Sequence, residues 1–157
     1  KVQVFLPFAI IMTNIYFITM LFWSLNKCYR HDINIATDIK TTIKEKCPEF
    51  DPKTQYVYFF GCVPYEEHEP FRLPESEIFG GSFFQWDNGS NSRIIDFMKF
   101  TDVARYKMID QKEIYLNIKD SISPMPVWPK EGYVKQVGNV VIVKLGNKKG
   151  TPLWVEL

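Results

Sequence analysis

The densest group of chemistry-bearing residues lies in Gly80–Arg93, which reads GGSFFQWDNGSNSR. Trp86 offers a flat apolar face, Asp87 and Asn88 offer directional acceptors and donors, and Arg93 carries a planar cation. Gly80 and Gly81 let a backbone or ligand approach closely. Aromatic faces beside carboxylate and amide groups suit a carbohydrate: sugar C–H faces stack on the rings while the hydroxyls take paired hydrogen bonds. The plainer reading puts Phe83 and Phe84 in a core and makes DNGS an ordinary turn. Asn88-Gly89-Ser90 is also a glycosylation triplet, a pattern common by chance. A second group, Met125–Pro129, frames Trp128 with two prolines. Trp128 reads either as a sugar platform or as a plug tying its loop to the following hairpin. Lys144 interrupts the apolar run VVIVKL on the strand face of Val140 and Ile142, where it snorkels at an edge or meets a carboxylate.

Other chemistries lack their residues. The chain has no CxxC pair, HExxH, Walker A loop or GxSxG turn. Its two histidines, His31 and His68, are too few for a multi-histidine metal site and poorly placed for a triad. Glu66, Glu67, His68 and Glu69 are adjacent on an acidic, proline-bearing stretch, where neighbouring side chains point apart; a solvated charge run is the expectation. No metal or cofactor is expected. Lys plus Arg is 19 against 18 for Asp plus Glu, so the chain lacks the basic excess of a nucleic-acid binder.

The elements that position these groups begin with an apolar leader. Between Lys1 and Lys27 no residue is charged, a run of 25. As a helix it covers about 37 Å, enough to cross a hydrocarbon layer about 30 Å thick. Pro7 sits near its start, and Trp23 suits the membrane–water interface. A signal peptide would be shorter and end in a small-x-small cleavage site. Residues 1–26 are therefore expected to form a transmembrane helix, and 27–157 a mixed α/β soluble domain. Lys27, Arg30, Lys40, Lys44 and Lys46 follow the helix, which by charge count alone points the body to the cytoplasm. Cys28, Cys47 and Cys62 fit either one disulfide or three thiols.

Within the body, Asp32–Lys46 predicts a separate amphipathic helix, with Asp32 or Asn34 capping its start and Pro48 stopping it. Tyr56–Gly61 predicts a buried strand. Residues 62–77 predict an irregular acidic loop. Ser90 or Ser92 is placed to cap a helix with Ile94, Ile95, Phe97 and Met98 inward. The alternation of Ile114, Leu116 and Ile118 with Tyr115 and Asn117 predicts another strand. Tyr133–Val137 and Val140–Leu145 predict a hairpin about Gly138-Asn139.

Two stretches, Ile78–Lys99 and Met125–Leu145, resemble the C-terminal region of the type II Gtr glucosyltransferases, bacterial enzymes that modify O-antigen and are often prophage-encoded. The aromatic-Trp-Asp-x-Gly block and the Met-Pro-x-Trp-Pro block carry the likeness, which spans most of residues 27–145. The resemblance implies a fragment of a polytopic, GT-C-like inner-membrane protein whose upstream helices precede this chain, with its last domain in the periplasm. It implies glucose carried on undecaprenyl phosphate as donor and lipopolysaccharide O-antigen as acceptor, in serotype conversion. The catalytic base of such enzymes lies in the membrane part, so no catalytic residue is assigned here. Trp86, Asp87, Asn88, Arg93, Trp128 and Lys144 are the expected substrate contacts. The alternative is a single-pass, membrane-anchored glycan-binding or interaction module without catalysis.

Overall fold

The structure, a computed structural model, describes residues 2–63, 81–109 and 112–147. Its first element is one continuous helix, α1, Val2–Lys46. At about 1.5 Å per residue it is roughly 67 Å long. The expected break between a membrane helix and a separate helix from Asp32 does not occur. Nothing between Lys27 and Asp32 interrupts a helix, and Asp32 caps nothing: it lies mid-helix, 1% exposed.

The two halves of α1 meet different surroundings. Leu6, Phe8, Ile11, Ile15, Phe17, Ile18 and Phe22 are all more than half exposed. Only 6% of the most apolar 18-residue stretch is buried, so this half is not a core helix of the domain. Its polar side chains turn inward along the backbone. Thr13, Asn14 and Thr19 donate to the carbonyls of Ala9, Ile10 and Ile15, each at 2.8 Å. A helix in lipid must satisfy its donors internally in this way. This half is a candidate membrane span. From Cys28 on, Asp32, Ile35, Ala36, Ile39 and Ile43 form a buried stripe at helical spacing.

That stripe covers one face of a four-stranded sheet ordered β2-β1-β4-β3: β1 Tyr56–Phe60, β2 Lys107–Met108, β3 Val134–Val137 and β4 Val140–Lys144. β1 runs parallel to β2 and β4, while β3 and β4 form the expected antiparallel hairpin. Val57, Phe59, Val141 and Val143 face α1 and a second helix, α2, Asn91–Phe100. Tyr58, Val140 and Ile142 face a third, α3, Lys112–Ile122, on the opposite side. With both faces covered, β1 and β4 are apolar at every position but Lys144, which is why they read as nearly unbroken runs.

Two further expectations require correction. Ile114–Ile118 is helical and belongs to α3. Tyr115, Ile118 and Ile122 are buried at 3.6-residue spacing, whereas Leu116 is 45% exposed. A five-residue alternation is too short to separate the two periods. In α2, Ile94, Ile95, Phe97 and Met98 are buried as expected, but Ser90 at the helix start makes no capping bond. Asn91 instead binds the backbone of Phe59 with both ends of its amide, at 2.6 and 2.8 Å. The acidic stretch beyond Val63, with His68, lies outside the described residues. Cys28, Cys47 and Cys62 form no disulfide.

Candidate functional site

The Gly80–Arg93 segment is held by the carboxylate in the middle of α1. Asp32 Oδ1 accepts from Ser82 Oγ at 2.6 Å, and its Oδ2 accepts from the Phe83 N–H at 2.8 Å. Ser82 then starts a helical turn: its carbonyl accepts from the N–H groups of Gln85 and Trp86, each at 3.0 Å. This presents the aromatic residues to a common pile. Phe83 stacks on Phe97 at 4.7 Å, meets Trp86 at 4.5 Å, and Tyr29 of α1 closes on Phe97 at 6.0 Å.

Trp86, Asp87 and Arg93 come together on the rim of this pile. Arg93 Nε donates to Asp87 Oδ2 at 2.5 Å, and its guanidinium lies 5.2 Å from the Trp86 ring centroid. The cation therefore covers a ring that residue types alone assign to sugar stacking. Both partners of the ion pair are more than 40% exposed, so solvent and ligand can reach them. The Trp86 ring also lies against Gly81, where a Cβ would come within 2.0 Å of Nε1. The side chain of Asn88 is outside the described residues.

Trp128 and Lys144 stand elsewhere. Trp128 Nε1 donates to Asp38 Oδ2 at 2.9 Å, and the Tyr133 hydroxyl lies 2.9 Å from both Asp38 Oδ2 and Thr42 Oγ1. Burial first, and then the Asp38 carboxylate, push the Tyr133 phenol up, against the opposing Thr42 hydrogen bond. Trp128 packs on the larger core, which accords with the plug reading.

Lys144 points to the other side of the sheet and is 5% exposed. Among the described residues it meets no carboxylate. Its ammonium donates to the Ser123 and Met125 carbonyls at 3.2 and 2.8 Å, just past the end of α3. It lines a cleft of about 430 Å³ with Phe60, Tyr115, Lys119, Ile122 and Asn147.

Several residues with no functional mark in the sequence build these places. Asp32 sits on the apolar stripe of α1, and an acid on a buried stripe was the signal that could have found it. Gly61, Gly89 and Gly146 bring three backbone segments together beside the ends of β1 and β4. A Cβ on Gly89 would come within 2.1 Å of the Gly61 carbonyl oxygen, and one on Gly146 within 2.3 Å of that of Cys62. Gly61 and Gly89 also hold positive φ, at 76° and 86°. Among the described residues no group of three or more His, Cys, Asp or Glu could hold a metal.

The order of contacts along α1 orients the sheet. Asp32 touches the loop that follows β1, and Asp38 and Thr42 meet Trp128 and Tyr133 beside the end of β4. Ile43, Cys47 and Phe50 lie against Ala104–Tyr106, just before β2. The carboxyl ends of β1 and β4 thus face the exposed apolar half of α1. No family model matches the chain, and the comparisons with curated proteins and with solved structures give no match.

Proposed function

We propose that this chain is the C-terminal part of a membrane glucosyltransferase that moves glucose from undecaprenyl-phosphate-glucose to lipopolysaccharide O-antigen. In this reading residues 27–157 lie in the periplasm and other helices of the same protein carry the catalytic base. One observation carries the proposal. The carboxyl edge of the parallel strands, where open α/β sheets hold their ligands, is turned toward the apolar half of α1. Ligands of that edge would be met near the membrane surface, where a lipid-linked sugar presents its headgroup.

The Trp86–Asp87–Arg93 rim is the sugar contact in this reading. Asp87 accepts from an acceptor hydroxyl once Arg93 releases it, and Arg93 turns to a phosphate or carboxylate. Glycosyl transfer requires a base for the acceptor hydroxyl and stabilisation of the leaving phosphate. This rim supplies recognition and no base. Asp87 is tied to Arg93 rather than set beside a second carboxylate, a pairing that an anchored glycan-binding module would share.

Membranes containing the full-length protein, given radiolabelled lipid-linked glucose and O-antigen, provide the test. Incorporation of label is expected, with about a tenfold loss in Asp87→Asn, the effect of one charged hydrogen bond. Residues 1–157 alone should give no incorporation. Turnover by residues 1–157 alone, or none by the full-length protein, overturns the proposal; glycan binding without turnover selects the anchored module.

A further inference from the structure

We propose that the cleft between α3 and the carboxyl ends of β1 and β4 is a phosphate-binding site built on Lys119 and Lys144. It is independent of the sugar-transfer reading and lies on the other face of the sheet from Trp86 and Arg93. Three observations converge on it.

The first is charge. Lys144 is 5% exposed, and its contacts among the described residues are two neutral carbonyls. A buried ammonium without a carboxylate partner is costly. The end of α3 offsets part of that charge, but a helix C-terminus carries only about half an elementary negative charge against a full positive one. Lys119 adds a second cation to the same cleft, and none of its described lining residues is a carboxylate.

The second is donor chemistry. An ammonium has three protons, of which the carbonyls take two. The third, with the Lys119 ammonium and the amide of Asn147, makes a set of donors suited to the several oxygens of a phosphate. Tyr115 and Phe60 form the apolar floor.

The third is topology. β1 and β4 are parallel neighbours, and the cleft lies at their carboxyl ends beside α3. The carboxyl ends of such strands are the usual ligand position in open α/β sheets. Because that end faces the apolar half of α1, a phospholipid headgroup can reach it as well as a free phosphate.

The test uses the whole chain purified in nonionic detergent or in nanodiscs. Thermal unfolding is followed against inorganic phosphate in detergent, and against nanodiscs of phosphatidylglycerol compared with phosphatidylcholine. A saturable rise in Tm is expected in at least one arm. Lys119→Gln should weaken it about tenfold, as loss of one charged contact does, and Lys119→Glu should abolish it. Lys99→Gln, on α2 at the far face, should leave it unchanged. Saturation by inorganic phosphate identifies a free phosphate or soluble ester; saturation only with phosphatidylglycerol identifies a lipid headgroup. Lys119 is exposed, so its variants fold, whereas Lys144→Met is informative only as a folded protein. No saturable shift in either arm, or an equal midpoint for wild type and Lys119→Glu, overturns the proposal.

Discussion

The two halves of α1 are both apolar, yet they have solved different problems. From Cys28 to Ile43 the apolar residues occupy one stripe, and the sheet covers them. From Leu6 to Leu25 they occupy all sides and most are exposed, Met20 and Leu21 being partly covered. The lesson lies in the polar residues rather than the apolar ones. In the covered half, Asp32 and Asp38 reach outward to bind other elements. In the uncovered half, Thr13, Asn14 and Thr19 bind only their own helix. Thr37 and Thr41 of the covered half also donate to their own backbone, so the halves differ in the carboxylates, Asp32 and Asp38, that reach other elements.

The strongest way to break that comparison is to charge the uncovered half. Ile11→Lys with Ile15→Lys places two cations on one side of the span, each costing about 3 kcal/mol near a bilayer centre. The protein should leave the alkali-resistant membrane fraction while the 27–147 fold survives. Unchanged fractionation would mean that another protein surface, not lipid, covers this half.

Asp32→Ala attacks the covered half. It strands the Ser82 hydroxyl and the Phe83 N–H in the interior, at a cost of about 3–4 kcal/mol. Urea unfolding in detergent should show a clear fall in midpoint, with the aromatic pile of Phe83, Trp86 and Phe97 loosened. Tyr133→Phe removes a hydroxyl from the Asp38–Thr42 group and should cost about 1 kcal/mol, sharpening how much each anchor of α1 contributes.

Tyr106 lies under the end of α1 beside Phe50, and burial pushes its phenol up to about 12. The unfolded chain releases this proton near the ordinary tyrosine value of about 10. Stability from this group is therefore intact below that value and lost as pH rises from there toward 12. Tyr106→Phe should make the alkaline limb of a stability–pH curve shallower, with buried Tyr58 and Tyr133 still contributing, and an unchanged limb would remove the burial argument for Tyr106. The smallest effect belongs to the last turn of α1. Lys46 and Glu131 pair at 2.9 Å, which holds the Glu131 carboxyl below its ordinary range and raises the Lys46 ammonium. The glutamate's share is present above the ordinary carboxylate range and lost as pH falls through its lowered value. Both side chains are at least half exposed, so Lys46→Met should leave Tm unchanged.

Much of the fold was legible because it rests on local pattern. The runs YVYFF and VVIVK announce covered strands, Gly138-Asn139 announces the hairpin, and the inward residues of α2 follow their period. The continuity of α1 was harder to see, since Asp32 and Asn34 resemble helix caps until something else claims the carboxylate. α3 was misread because a short alternation fits either period, and only packing on Tyr58 and Ile142 chooses the helix. Of the expected contacts, Trp86, Asp87 and Arg93 do meet. Trp128 and Lys144 follow different elements to opposite faces of the sheet, which no residue type could announce.

Composition and periodicity alone determined that an uncharged apolar stretch precedes an α/β body, because both are counted along the chain. Tertiary structure alone decided that Asp32 holds the 82–86 turn and that Lys144 lines a cleft with no carboxylate among its described residues. Those facts depend on which segments, 50 residues or more apart, fold against each other. A side chain's partner across such a distance is set by the packing of whole elements, and local propensity carries no record of it.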